Sequence, residues 1–217
     1  MPEGKILKAL SGFYYVMAGE GVVQCRGRGV FRKNKITPLV GDEVVYQAEN
    51  ENEGYILEVK ERKNELLRPP IANVDQALLV FSAVEPSFST ALLNRFLVLV
   101  EYNNIQPVIV ITKMDLTNES DREQVEQYAK DYRNIGYEVI LTSSETEAGL
   151  EELFPHLEGK ISVFAGQSGV GKSSLLNALK PDLDLKTDNI SSHLGRGKHT
   201  TRHVELIKVG NGLVADT

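Results

Sequence analysis

The sequence predicts an α/β protein in two parts: a small all-β barrel first, then a mainly parallel sheet with helices on both faces. Three observations predict it. Up to about residue 66 the apolar runs are short and regularly punctuated by turn residues. Arg68–Pro69–Pro70 then interrupts the pattern, and two prolines block both helix and ladder, so a linker is expected there. Beyond it, strand-length apolar runs alternate with segments of helical period, which implies parallel pairing with helices covering both faces. The expected domains are 1–66 and 67–217.

In the first part, Phe13–Met17, Val22–Cys25, Val44–Gln47 and Tyr55–Val59 read as strands. Turn residues separate them at Gly19–Gly21, Gly41–Asp42 and Asn50–Gly54. A closed five-stranded barrel of the OB type fits this length and spacing. In the second part Val74–Phe81 reads as a buried strand, and Ser89 can cap a helix carrying Leu92, Leu93, Phe96, Leu97 and Val100. Pro107–Ile111, Glu138–Leu141 and Ile161–Ala165 are further strands. Asp121–Arg133, Leu150–Phe154 and Lys172–Leu179 are the helices between and behind them. Val204–Val209 and Leu213–Ala215 flank Gly210–Asn211–Gly212, where Asn-Gly between apolar runs signals a hairpin.

Composition narrows the function classes. Apolar residues at 41% and charged residues at 25% describe an ordinary globular chain. The single cysteine, Cys25, excludes an internal disulfide and any cysteine-based metal site within these residues. No apolar run is long enough to span a bilayer and the N-terminus lacks a secretory h-region, so a cytoplasmic chain without membrane attachment is expected. A net charge of −6 argues against non-specific nucleic-acid binding, and no DNA partner is expected. The charge is uneven, however. Arg26–Lys35 carries five basic residues and no acid, and His193–His203 also lacks an acid.

Gly166–Gln167–Ser168–Gly169–Val170–Gly171–Lys172–Ser173 matches G-x-x-x-x-G-K-[ST]. It follows one predicted strand and opens one predicted helix, which is the setting the motif requires. Glycines let backbone N–H groups crowd around phosphate oxygens, and the helix N-terminus adds partial positive charge. Ala165 before the loop and Ser174 after it belong to the same nucleotide-contacting segment. Lys172 is expected to reach the β- and γ-phosphates as a catalytic cation, and Ser173 to ligate Mg²⁺.

Thr112–Lys113–Met114–Asp115 follows another predicted strand and matches [NT]-K-x-D. The two oxygens of a carboxylate can accept together from guanine N1–H and the N2 amino group, a donor pair that adenine lacks. Lys113 is expected along the base and Thr112 as a tie to the phosphate loop. Two such loops at strand ends of one parallel sheet meet the rule that ligands bind at its carboxyl edge. Thr142–Ser143–Ser144, after the strand Glu138–Leu141, is a candidate for the backbone contact to guanine O6, through Ser143 or Ser144. GTP and GDP are therefore the expected ligands.

Asp216–Thr217 closes the sequence after an apolar strand, where GTPases carry D-x-x-G and the Asp contacts Mg²⁺. Between Asn189 and Arg202 a switch threonine is expected. Thr200 and Thr201 are the candidates, Thr201 also as a Mg²⁺ ligand, and His199 is a candidate to position water. The order is unusual. T-K-x-D and T-S-S precede the phosphate loop, whereas ordinary GTPases run the other way. The set is rotated, and circular permutation is allowed because domain termini often lie close together.

These features resemble the ribosome small-subunit-dependent GTPases of bacteria, the RsgA family. The resemblance rests on the N-terminal β domain, the permuted T-K-M-D, G-Q-S-G-V-G-K-S and D-T order, and R-G-K-H-T-T-R. It implies an OB-fold and a permuted GTPase domain, then a small Zn²⁺-binding domain that these residues do not include. It also implies late maturation of the 30S subunit, GTPase activity stimulated by that subunit, contact with 16S rRNA, and a monomer. The basic run Arg26–Lys35 could supply the RNA contact, with Phe31 stacking on a base. Two other readings stay open: a P-loop ATPase or kinase, and an RNA-binding module with a vestigial nucleotide site.

Overall fold

In a computed structural model, which describes residues 1–19, 21–29, 31, 36–51, 53–181 and 204–215, five strands close the N-terminal barrel. They are β1 (Glu3–Leu10), β2 (Phe13–Ala18), β3 (Gly21–Gly27), β4 (Glu43–Asn50) and β5 (Glu53–Val59). Their order is β1-β2-β3-β5-β4, with β3 and β5 parallel and β1 closing antiparallel onto β4. The sequence pattern missed β1, whose alternation is blurred by lysines. It enters β2 through Ser11 and Gly12, both at positive φ (52° and 84°), the geometry that a two-residue hairpin of matching twist requires. Inward positions of successive strands, Ile6, Val16, Val23, Cys25, Val44, Tyr46 and Ile56, fill the barrel.

The prolines that suggested a linker instead turn a short hairpin. β6 (Glu65–Leu67) pairs antiparallel with β7 (Pro70–Ala72), and Leu67 faces Pro70. Proline is tolerated as the first residue of a short strand because no ladder bond is asked of its nitrogen. The hairpin belongs to the barrel unit, since Ile71 bridges to Val40 and the Ala72 N–H donates to Val40 O at 2.9 Å. Among the described residues, one compact unit holds Met1–Val74 with 204–207 and Ala215, and the other holds 75–181 with Lys208–Val214. Phe31 is 6% exposed, so it belongs to the core and cannot stack on a base as the sequence suggested. An aromatic ring in a basic run is drawn inward by its apolar area more readily than it stays in water.

The second unit runs β8 (Gln76–Ser82), α1 (Thr90–Tyr102), β9 (Gln106–Thr112), α2 (Glu119–Ile135), β10 (Glu138–Leu141), α3 (Leu150–Leu157), β11 (Ile161–Ala165) and α4 (Lys172–Leu179). β12 (Leu206–Val209) and β13 (Gly212–Ala215) complete its sheet. The order is β10-β9-β8-β11-β13-β12, with parallel pairing from β10 through β11. All seven residues of β8 are buried, as expected of a central strand covered on both faces. The chain moves from β8 to β9 to β10, then returns to β11 on the other side of β8. Right-handed crossovers therefore put α1 and α2 on one face and α3 on the other. Strand order reverses between β8 and β11, so the crevice above their carboxyl ends is where a ligand binds in such sheets.

Local signals set the helix limits. Ser89 caps α1 by accepting from the Leu92 N–H at 3.3 Å. Asn118 caps α2 by accepting from Asp121 N–H, and Gly136 ends it at φ 112°. The turn joining β12 to β13 is Gly210–Asn211, with Gly210 at φ 57°; the glycine of the anticipated Asn-Gly pair opens β13 instead. A two-residue connection makes the pair antiparallel. No helix among the described residues is long and apolar enough to cross a membrane.

Candidate functional site

Three loops converge above β8, β9 and β11. The glycine-rich loop leaves β11 through Gly166, where φ is 158° and a Cβ would collide with Val80 O on β8, so only glycine lets it pass. Gly169 and Gly171 also hold positive φ, and between them Val170 is buried and anchors the loop. Gly171 caps α4, whose first residue is Lys172. Gln167, Ser168 and Gly169 are exposed, whereas Ala165, Gly166, Ser173 and Ser174 are half-buried. The Lys172 Nζ donates to Gly166 O at 2.9 Å and to Gln167 O at 2.7 Å, which holds it across the loop's mouth.

The T-K-M-D loop leaves β9 beside it. Buried Thr112 donates its hydroxyl to Val170 O at 2.5 Å. Lys113, at φ 59°, donates its Nζ to Gly169 O at 2.7 Å and to Glu85 O at 2.5 Å. Two consecutive side chains of one loop are thus bonded to consecutive carbonyls of the other. Met114 is buried and opens a 3-10 turn through Leu116, and the Arg122 Nη2 donates to Met114 O at 3.0 Å from α2. Asp115 projects from that turn and is exposed.

The third loop is tied to the second, since the Met114 N–H donates to Thr142 O at 3.2 Å and the Thr142 N–H to Ile111 O at 2.7 Å. Ser143 is buried and its N–H donates to Ala148 O at 3.0 Å. Gly149, at φ 73°, closes this loop where a Cβ would strike Leu141 O. Ser144 follows, half-buried.

Sequence reading missed a fourth wall, the loop between β8 and α1. The Ser82 Oγ accepts from the N–H groups of Val84 and Glu85 at 3.2 and 3.0 Å, turning the chain so that Glu85 O meets Lys113. Pro86 closes on Gly169, with its Cδ 3.9 Å from where a Cβ would stand. Phe88 anchors the loop, edge-on to Phe81 (5.9 Å) and stacked on Tyr128 of α2 (5.5 Å). A serine at a strand end followed by Glu-Pro is a turn signal, but nothing in it names the lysine it serves.

His199, Thr200, Thr201 and Asp216 lie outside the described residues. Among the described residues no group of three or more His, Cys, Asp or Glu side chains could hold a metal ion. The Ser173 hydroxyl, on the first turn of α4, is the hard oxygen donor there that suits Mg²⁺ beside phosphate oxygens.

A glycine-rich phosphate loop bonded side to side with a T-K-x-D loop that precedes it in the chain defines a circularly permuted GTPase. Family models agree with both units: the RsgA N-terminal domain matches residues 3–56 and the RsgA GTPase matches residues 59–217. The chain belongs to the RsgA GTPase family. It is 72% identical over 217 residues to the small ribosomal subunit biogenesis GTPase RsgA of Bacillus cytotoxicus, an alignment covering all of this chain and 74% of the relative. The Bacillus subtilis protein of the same name is 70% identical over 222 aligned positions, with the same coverage. Among solved structures, YloQ, described as a circularly permuted GTPase, superposes with a TM-score of 0.83 at 64% identity, over 100% of this chain and 71% of that one. YjeQ from Thermotoga maritima superposes with a TM-score of 0.86 at 38% identity, over 99% and 73%. As a member of this family the chain is a hydrolase that binds guanine nucleotide.

Proposed function

We infer that this GTPase acts in late maturation of the 30S subunit, in the cytoplasm, and that contact with the subunit accelerates its hydrolysis of GTP. The observation that carries the site assignment is the pair of bonds from Thr112 and Lys113 to Val170 and Gly169, which makes the base loop and the phosphate loop one rigid cradle. A cradle that spans purine and triphosphate suits one nucleotide and not two separate ligands.

The described residues take roles that suit their positions, and the roles of His199, Thr200, Thr201 and Asp216 rest on their motifs alone. The loop amides of Gly166–Ser173 and the α4 N-terminus surround the β-phosphate, while Lys172 exchanges its two carbonyl partners for β- and γ-phosphate oxygens. Asp115 accepts from guanine N1–H and N2. Because the Ser143 N–H is already given to Ala148 O, the Ser144 N–H is the donor for O6. Ser173, with Thr201 and Asp216, would hold Mg²⁺, which neutralises charge on the β- and γ-oxygens when bound. Thr200 orders the switch segment and His199 positions the attacking water. That water attacks the γ-phosphorus in line, the bond to the β–γ bridging oxygen breaks, and GDP and phosphate leave.

The partner reading is that of a monomer meeting 16S rRNA on the 30S subunit, with Arg26 and Arg28 as basic contacts. GTP turnover measured with and without purified 30S subunits, at a stated salt concentration because phosphate contacts are salt-sensitive, tests it. Slow intrinsic turnover that rises on adding subunits is expected. Turnover indifferent to subunits at every salt concentration removes the ribosomal role while leaving the GTPase. ATP competing as well as GTP removes the base assignment.

A further inference from the structure

The turn that carries Asp115 is pinned at both peptide planes that flank Met114. On one side the Met114 N–H donates to Thr142 O at 3.2 Å. On the other, Met114 O accepts from the Thr117 Oγ1 at 2.7 Å, the Thr117 N–H at 3.4 Å and the Arg122 Nη2 at 3.0 Å. A peptide unit is planar, and Met114 O shares its plane with the Asp115 N–H. Whatever holds that carbonyl therefore fixes the plane from which Asp115 projects. Thr117 closes the same turn, whereas Arg122 reaches in from α2.

As a helix residue Arg122 is out of place. Asn118 caps α2 and Arg122 follows in the first turn, where the helix dipole favours acids and disfavours cations. Glu119 and Asp121 obey that rule and Arg122 breaks it. Its side chain is 50% exposed, so packing does not explain it either. What the arginine gains is a charge-assisted bond to Met114 O. Its other arm turns to Glu126, one helical turn on, at 3.7 Å. With that arm on Glu126, the guanidinium steadies the peptide before Asp115 without pairing with the carboxylate.

The base decides what this steadiness is for. Guanine and hypoxanthine both present N1–H, and guanine alone adds the N2 amino group. To take both donors, the two oxygens of Asp115 must lie together in the purine plane. A carboxylate free to rock keeps one bond to N1–H and gives N2 back to water. Holding the group within roughly 0.5 Å and 10–20° separates the two cases. We propose that Arg122 is a positioning residue for base choice: by holding Met114 O it keeps Asp115 coplanar with guanine, and so sets the preference for guanine over hypoxanthine nucleotides. The inference rests on the reading of Asp115 as the acceptor for N1–H and N2.

Equilibrium titration of the whole chain with guanosine and inosine diphosphates, in Mg²⁺, tests it. The parent chain should prefer the guanosine nucleotide by about tenfold or more, the worth of one hydrogen bond to a charged group. Arg122→Met keeps the stem and a good helix former but has no donor. It should weaken the guanosine nucleotide and leave the inosine nucleotide nearly unmoved, so that the preference falls to about threefold or less, most of that bond's worth. Arg122→Lys, which returns a charged donor, should recover most of the preference. Should the Arg122→Met chain prove unstable, Arg122→Gln, whose amide ends two bonds short of the guanidinium tip, gives the same comparison. A variant without the donor that keeps the parent's preference overturns the proposal. So does equal weakening of both nucleotides, the mark of a residue that only stiffens the fold. A parent chain that binds both nucleotides alike removes the role of Asp115 itself, and the inference falls with it.

Discussion

Asp115 stands alone in its task. It is exposed on a 3-10 turn, while Met114 beneath it is buried and held by Arg122, so the carboxylate can be altered without disturbing the loop that carries it. Asp115→Asn should weaken GTP binding about a hundredfold, the loss of two charge-assisted bonds, and should improve binding of xanthosine triphosphate, whose carbonyl accepts from the new amide. Equilibrium titration with both nucleotides decides, and an unchanged preference defeats the assignment. Cys25 shows the opposite environment. It is fully buried in the barrel, and burial pushes its thiol up to about 11. Unfolded chain ionises this thiol first, so the stability it contributes is intact below pH 9.0 and is lost as pH climbs through about 11. Native protein at pH 8 should therefore resist a thiol reagent that labels the denatured chain at once; prompt labelling of native protein would show that the barrel interior is open. The motifs carrying Asp115 and Lys172 were legible because phosphate and guanine demand fixed residue types at fixed spacing. The inward turn of Phe31 was not, because burial depends on partners distant in sequence.

Strands and helices were legible wherever one face is uniformly apolar, as in β8, β9 and β11, or where a cap marks a start, as at Ser89. β1 and the β6–β7 hairpin were not. One alternates with charged residues, and the other places its prolines where a hairpin turns. The loop between β8 and α1 was likewise silent in sequence, yet it supplies a carbonyl to Lys113 and is held by the stack of Phe88 on Tyr128. Tyr128→Ala should free this loop and speed release of a fluorescent GDP analogue about fivefold to tenfold, the worth of one aromatic pair, while Tyr128→Phe keeps the parent rate. Stopped-flow dissociation measures it. Identical release rates in all three proteins would mean the stack serves only the fold.

Each of the two units has its own buried core, and each has one feature that can be perturbed independently. In the barrel unit the Arg62 Nε and Nη2 both bond Asp42 at 2.7 Å, and the Asp42 side chain is completely buried. Arg62→Ala leaves that carboxylate without its counter-charge, a loss of about 3–5 kcal/mol. In the other unit, GDP with Mg²⁺ at a hundredfold excess over its Kd adds about 2.7 kcal/mol by mass action. Urea unfolding followed by circular dichroism should show two transitions, one lowered by the substitution and the other raised by nucleotide. A single transition moved by both would show that the units unfold as one. The two-part organisation and the permuted motif order were legible in the sequence because they are linear properties of the chain. The tie from Thr112 to the phosphate loop was expected from its motif, whereas the bonds of Lys113 to Gly169 O and Glu85 O were not.

Gln76 and Ser162 stand opposite each other, both buried, at the amino ends of β8 and β11, with the Gln76 Nε2 donating to Ser162 Oγ at 2.8 Å and to His156 O at 2.7 Å. These strands must find each other across a long stretch of chain, and most of their other side chains are interchangeable hydrocarbons. A slip of one residue would set the amide against Ile161 or Val163 and forfeit its bond to Ser162, at about 0.5–1.5 kcal/mol. The same slip would carry Gly166 about 3.3 Å along the strand, away from the carbonyls that Thr112 and Lys113 grasp. One buried amide therefore favours the single alignment of β8 and β11 that sets the phosphate loop beside its neighbour.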